Sequence, residues 1–107
     1  MAYVVADWDG CSLGPLPPEE FEDLLHQLQR FGTEEHPDIS VHHDSGWSLC
    51  IGLSLEVWIE NLLEDETRPR HVLGLQMGEV VALMRSMAEG DIAGLLAREW
   101  RPGYPWA

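Results

Sequence analysis

Apolar and small or polar residues alternate with a period of two between Asp38 and Leu53. The alternating apolar positions are Ile39, Val41, Trp47, Leu49, Ile51 and Leu53. The turn-forming sequence Asp44-Ser45-Gly46 separates the two runs. This pattern predicts a β-hairpin with one apolar face. Since that face must be buried, other parts of the chain have to cover it.

Two other regions carry the helical period of about 3.6 residues. The first predicted helix runs from about Pro18 to Phe31, with acidic residues in its first turns and Gly32 after its end. Its apolar stripe contains Phe21, Leu24, Leu25 and Leu28. A second helix is predicted to end at Gly90, and its inner face contains Val80, Leu83, Met84 and Met87. Asp91 is well placed to cap a third, short helix that carries Ile92, Leu95 and Leu96.

The segment 55–63 fits either a helical stripe or a strand. We favour a strand, because the segment follows a clear strand closely and a polar loop connects it to the apolar His71-Val72-Leu73. A short strand is also expected within Tyr3 to Trp8, and Leu13 to Pro18 is expected to be an extended connector. The predicted fold class is α+β. It consists of an antiparallel meander of three to five strands, with an N-terminal helix and C-terminal helices packed on one face. We expect one domain, 1–107, with an aromatic C-terminal tail at 98–107.

The charge balance restricts the possible partners. The chain has 19 Asp and Glu residues against 6 Arg, no Lys, and a net charge of −13. Nucleic acids and anionic membranes are therefore not expected as partners, because binding to them depends on Lys and Arg. A basic protein is the favoured partner, and the alternative is that the acidity serves only solubility. The sequence has no stretch of about 20 apolar residues and no targeting signal, so we expect a cytoplasmic protein.

No motif for catalysis or cofactor binding is present, so we expect neither enzymatic activity nor a cofactor. His36, His42 and His43 are metal-ligand types, but His42 and His43 are adjacent on a strand and point to opposite faces. Surface histidines are thus preferred over a metal site. Cys11 and Cys50 fit no zinc or redox motif and are interpreted as reduced thiols, although a bridge between them stays possible. Cys50 is expected to be accessible, because its neighbours on the same side of the strand, Ser48 and Gly52, are small. No activating partner is evident for its thiol.

The candidate partner-binding residues lie in two acidic runs and at the C-terminus. The acidic candidates are Glu34, Glu35, Asp38, Glu64, Asp65 and Glu66. In an up-and-down meander the two runs are expected to form one negative patch that accepts hydrogen bonds from arginines. Trp100, Arg101, Tyr104 and Trp106 are residue types that dominate interface energy. The alternative is that Trp100 and Tyr104 fold back to complete the core. We favour this alternative for Trp100, whereas Trp106 is the better candidate for an exposed contact residue.

This combination of small size, acidity, α+β pattern and missing active site resembles, in general type, the immunity proteins of bacterial toxin systems. Segments such as His43-Asp44-Ser45-Gly46-Trp47 and Trp100-Arg101-Pro102-Gly103-Tyr104 look like family signatures. No motif aligns, so no site residue is carried over. The resemblance implies an inhibitor of a basic toxin or nuclease. The alternatives are a regulatory interaction module that uses the aromatic tail or, less favoured, a small metal-binding enzyme.

Overall fold

The computed structural model describes residues 2–33, 38–63 and 68–106. Within these ranges the chain forms seven strands and three α-helices, and a 3₁₀ turn at Pro18–Glu20 leads into the first helix. The strands are β1 (Tyr3–Ala6), β2 (Ser12–Gly14), β3 (Asp38–His43), β4 (Trp47–Gly52), β5 (Val57–Asn61), β6 (Arg70–Val72) and β7 (Arg101–Pro102). The helices are α1 (Phe21–Phe31), α2 (Met77–Glu89) and α3 (Ile92–Leu96).

All seven strands belong to one antiparallel sheet in the order β2-β1-β3-β4-β5-β6-β7. The α+β class and the antiparallel pairing are confirmed, and segment 55–63 contains a strand, as predicted. The predicted number of three to five strands is wrong. The additional strands are β2, which overlaps the start of the expected connector, and β7, which lies within the expected aromatic tail. They contain three and two residues, which is too short for alternation to be recognised in the sequence.

The predicted positions of the helices are only partly matched. The first helix follows two strands rather than the one expected strand. The additional strand β2 precedes α1 in the chain and pairs with β1. The last helix precedes β7, which pairs with β6 at one edge of the sheet. Pro102 fits this edge position, because an edge strand tolerates a residue without a backbone N–H group.

Alternation along the strands directs one face of the sheet toward the helices. The buried core cluster combines strand residues Val5, Ile39, Val41, Leu49, Ile51, Val57 and Ile59 with helix residues Phe21, Leu24, Leu25, Leu28, Val80, Leu83, Met84, Met87, Ala88 and Leu95. These include the predicted apolar stripes of α1 and α2. The opposite face, which we call the helix-free face, is formed by the alternate strand residues.

The ends of the helices are fixed by local hydrogen bonds. The backbone N–H of Gln76 donates to the Glu79 carboxylate at the start of α2, and the Asp91 side chain accepts from the Gly94 backbone N–H at the start of α3, as predicted. Gly90 ends α2 in the left-handed conformation, with φ of 77°. Glycine favours this conformation because a Cβ atom makes it strained.

Replacing Gly90 by alanine is expected to destabilise the protein more than replacing Gly74. Both glycines have φ of 77°, but a Cβ at Gly74 meets nothing within 4 Å, whereas one at Gly90 lies 2.7 Å from His43 Nε2. The His43 ring is held by the hydroxyl and backbone N–H of Ser45. We expect losses of unfolding free energy of about 1–2 kcal/mol for Gly74→Ala and about 1 kcal/mol more for Gly90→Ala. Urea denaturation of both variants measures this difference, and equal losses would contradict it.

Candidate functional site

The helix-free face presents polar groups at its centre. In the observed register, His42 lies opposite Ser48 and Ser48 opposite Glu60, while Ser40 pairs with Cys50 and Cys50 with Trp58. Asp38 pairs with Gly52 in the next row. The polar side chains of β3 on this face are Asp38, Ser40 and His42. Beside them lie Ser48 and Cys50 of β4, followed by Glu60 of β5. Helices cover only the other face, so these side chains form the candidate site.

His42 is hydrogen-bonded to a serine hydroxyl at each ring nitrogen. Ser40 Oγ lies 2.8 Å from Nε2, and Ser48 Oγ lies 2.8 Å from Nδ1. Burial lowers the pKa of His42, against the opposing effects of the Glu60 and Asp38 carboxylates. A neutral imidazole has one donor and one acceptor nitrogen, so one hydroxyl donates to the ring and the other accepts from it. Ser48 is 1% exposed and Ser40 8%, so this network satisfies buried polar groups and gives neither hydroxyl access to a substrate.

Cys50 belongs to this face but is buried, with an exposed fraction of 7%. The expectation of an accessible Cys50 is wrong, because the sheet places it beside Trp58, which is itself buried. Burial raises the pKa of the Cys50 thiol to about 12; the hydrogen bond with Ser48 acts in the opposite direction. Cys11 is exposed, and both cysteines are free thiols. Cys50 is therefore protonated near neutral pH and is a poor nucleophile.

The aromatic residues 104–106, which we call the docked segment, pack on the helix-free face. The Tyr104 hydroxyl donates to Glu60 Oε2 at 2.6 Å. The Trp106 ring packs edge-to-face on Trp58, with centroids 5.0 Å apart, and stacks on Tyr104 at 4.8 Å. Trp106 is nevertheless 68% exposed, in line with its prediction as an exposed residue. Sequence reasoning left open whether Tyr104 folds back, and it did not predict the contacts with Glu60 and Trp58.

Trp100 folds back onto the core, as predicted. It is partly buried and packs against the core cluster, and its indole N–H donates to the Leu95 carbonyl at 2.8 Å. The chain then turns at Gly103, whose backbone N–H donates to the Pro69 carbonyl at 2.9 Å. His71 Nδ1 donates a hydrogen bond to the Gly103 carbonyl at 2.8 Å. These contacts fix the position from which Tyr104 and Trp106 reach the helix-free face.

A cavity of about 390 Å³ lies next to the docked segment, and we call it the aromatic pocket. It is lined by Gly52, Leu53, Ser54, Glu56, Trp58, Leu73, Pro105 and Trp106. The Glu56 carboxylate lies over Gly52, where it occupies the position that a Cβ atom would take. Because Gly52 pairs with Asp38, two carboxylates lie at this end of the sheet. Burial raises the pKa of Asp38, while the nearby His42 acts in the opposite direction.

Of the seven predicted partner-binding residues, the structure describes Asp38 and Trp106. Glu34, Glu35, Glu64, Asp65 and Glu66 lie outside the described residues, as does His36. Asp38 begins β3 at the end of the sheet that holds the aromatic pocket, so it shares this region with Trp106. Asn61, which ends β5, pairs with Trp47 at the opposite end.

Sequence reasoning missed Glu56, Trp58 and Glu60, and for Tyr104 it left open whether the side chain is an interface residue or folds back onto the core. The alternation of β5 places Trp58 and Glu60 on the same face, but their position opposite Cys50 and Ser48 depends on the register of β4 and β5. Once 55–63 is taken as a strand, the alternation of its side chains predicts that these two residues share a face. No comparable periodic signal marks Tyr104, because the docked segment is not a regular element.

The cationic residues are concentrated at the β6–β7 edge. The first arginine of the chain is Arg30, and Arg68, Arg70, Arg98 and Arg101 fall within 34 residues of one another. Arg70 and Arg98 line a cavity of about 250 Å³ together with Trp100 and Pro102. The acidic residues Asp7, Asp9, Glu19, Glu20, Glu22 and Asp23 belong to the β1–β2 and α1 region. Four of the six arginines thus lie in or beside β6 and β7, whereas Arg30 belongs to α1 and Arg85 to α2.

His42 and His43 are on opposite faces, as expected: His42 bonds the serines of the helix-free face, whereas His43 lies against Gly90 at the end of α2. Across 2–33, 38–63 and 68–106, no group of three or more His, Cys, Asp and Glu residues is arranged to hold a metal ion. Over the same ranges no helix has the length and apolar character needed to cross a membrane. Comparisons with protein-family models, curated proteins and solved structures gave no match to this chain. A functional inference therefore rests on the geometry of the helix-free face.

Proposed function

We propose that this chain is a binding protein of the immunity type, which neutralises a basic toxin or nuclease through its helix-free face. The observation that carries the proposal is the placement of Asp38, Glu56 and Glu60 on the face where Trp106 is exposed. Carboxylates around an exposed tryptophan are suited to arginine and lysine side chains of a partner, which they bind by charge-assisted hydrogen bonds and cation–π contacts.

The charge distribution supports a basic partner. A net charge of −13 accelerates the encounter with a cationic protein and makes the association sensitive to salt. The arginine-rich β6–β7 edge disfavours approach of the same partner from that side. The charge distribution would therefore attract a cationic partner and also orient it toward the helix-free face.

The polar centre of the face favours binding over catalysis. The hydroxyl–imidazole contact between Ser48 and His42 resembles the pairing of a nucleophile with its base. Its serine is buried, however, and the pKa of the nearby thiol is raised. A well-packed surface with satisfied polar groups is a rigid platform, and rigidity reduces the entropy lost on association.

The proposal is tested by capturing partners on the immobilised chain at low salt, from the organism that encodes it. We expect a basic protein whose toxic or nuclease activity the chain blocks at equimolar ratio. Neutralising the site with Asp38→Asn and Glu60→Gln is expected to weaken this complex about tenfold or more and to reduce its salt dependence. Glutamine at position 60 retains an oxygen that accepts the Tyr104 hydrogen bond, so the docked segment stays in place.

The matched control is the pair Glu20→Gln and Glu22→Gln, which removes the same charge from the exposed surface of the α1 region. We expect it to change the affinity by less than about threefold. Equal losses in both pairs would show a general charge effect and contradict a role for the helix-free face. Binding that resists salt but is lost when 104–106 are deleted would instead favour the regulatory module that binds a non-basic partner through its aromatic segment.

A further inference from the structure

We infer that the aromatic pocket is a binding site for a single arginine side chain presented by the partner. This inference rests on the proposed function and assigns the chemical group that the pocket receives. The pocket volume of about 390 Å³ lies within the roughly 300–1,000 Å³ typical of small-ligand sites. Apart from Ser54 and the Glu56 carboxylate, its lining consists of apolar and aromatic residues.

The apolar part suits the aliphatic stem of a long cationic side chain. Leu53, Leu73 and Pro105 contribute apolar surface, and Leu73 is 51% exposed. Arginine buries its methylene groups along apolar surface and keeps its charged head near polar groups. The exposed leucine therefore has a role as a wall of the pocket.

Trp106 and Glu56 supply two complementary contacts for a guanidinium group. Trp106 offers the indole ring, which is the best aromatic partner for a cation. Tyr104 stacks parallel to it, with an interplanar angle of 6°, and Trp58 supports it edge-on at 84°, so the ring is held in a defined orientation. Glu56 Oε1 accepts from the Ser54 backbone N–H at 3.3 Å, which positions the carboxylate at the pocket.

Arginine fits this arrangement better than lysine. A planar guanidinium stacks on an aromatic ring and at the same time donates two parallel hydrogen bonds to a carboxylate. A lysine ammonium is a strongly hydrated point charge that cannot stack. Asp38, which pairs with the pocket residue Gly52, adds a second negative charge beside the site. A neutral side chain of the same shape would leave the Glu56 carboxylate without its counter-charge.

The experiment titrates the chain with acetyl-arginine amide and follows the indole N–H resonance of Trp106 by NMR. Acetyl-citrulline amide, which has nearly the same shape without the charge, and acetyl-lysine amide are the matched probes. We expect saturable shifts with the arginine probe, binding about tenfold weaker with lysine, and no saturation with citrulline over the same range. Glu56→Gln is expected to weaken arginine binding about tenfold, and Glu22→Gln on the opposite side of the molecule to leave it within about twofold.

Gly52→Ala is a second variant that preserves the net charge. Its methyl group would occupy the position of the Glu56 carboxylate, so the charge moves away from the pocket and arginine binding is expected to fall as in Glu56→Gln. Equal binding of arginine and citrulline, or full binding by both variants, would overturn the inference. The capture experiment with Asp38→Asn and Glu60→Gln does not use these probes. Failure of the arginine site is therefore distinguishable from failure of the proposed function.

Discussion

Replacing Trp58 by alanine is expected to lower the free energy of unfolding by about 3–5 kcal/mol. The Trp58 ring is 6% exposed and lies between Cys50 and His71 in the strand register. It also supports Trp106, with ring centroids 5.0 Å apart. Truncation therefore removes a large buried surface and leaves a cavity that the sheet is too rigid to fill. Urea denaturation followed by circular dichroism measures the loss.

Trp106→Ala is the matched control, because it removes the same side chain from the exposed side of the contact. Since Trp106 is 68% exposed, we expect a loss of about 1 kcal/mol or less. Trp106→Ala should nevertheless bind the partner much more weakly, although the variant is folded. Trp106 is thus expected to matter more for binding than for stability. A Trp58→Ala variant as stable as Trp106→Ala would mean that the docked segment does not bury Trp58.

Stability is expected to fall by about 2–3 kcal/mol between pH 7 and pH 11 because of Cys50. Burial raises the pKa of its thiol from 9.0 to about 12; the Ser48 hydrogen bond partly opposes this, and the charges of Asp38 and Glu60 add to it. The folded state therefore holds its proton more tightly than the unfolded chain. The resulting stabilisation is complete below pH 9 and is lost as the pH rises toward 12. Urea denaturation at a series of pH values follows the loss.

Cys50→Ala should flatten this pH dependence, although it lowers stability at pH 7 through lost packing. Cys11→Ala serves as the control: Cys11 is exposed, so its removal should leave the alkaline slope unchanged. Part of the slope will remain in Cys50→Ala, because the hydrogen bond to Glu60 raises the pKa of Tyr104 as well. An identical slope in Cys50→Ala and the parent protein would contradict burial of the thiol as the cause.

The docked segment joins two hypotheses that the sequence presented as alternatives. An acidic surface and an aromatic tail suggested different partners, one basic and one not. In the structure the Tyr104 hydroxyl donates a hydrogen bond to Glu60, and Trp106 lines the same pocket as Glu56. Acidic and aromatic groups therefore lie beside one another, and this arrangement is the basis of the proposed recognition of arginine.

The hairpin β3–β4 and the apolar stripes of α1 and α2 were predictable because their periodicities are local. A period of two or of 3.6 residues is set by the backbone geometry of a few consecutive residues. Asp91 as the cap of α3 was predictable for the same reason, since its hydrogen bond reaches only to Gly94. The short edge strands β2 and β7 were not predictable, because they form by pairing with distant strands and carry no period of their own.

The sequence by itself determined the net charge, the class of the fold and the apolar face that the helices cover. Only the tertiary structure decided which residues share the helix-free face. The bond between Tyr104 and Glu60 joins residues 44 positions apart, and the placement of Glu56 over Gly52 requires the register of β4 against β5. The physical reason is that such contacts follow from strand register and long-range packing, which no local pattern of residues specifies.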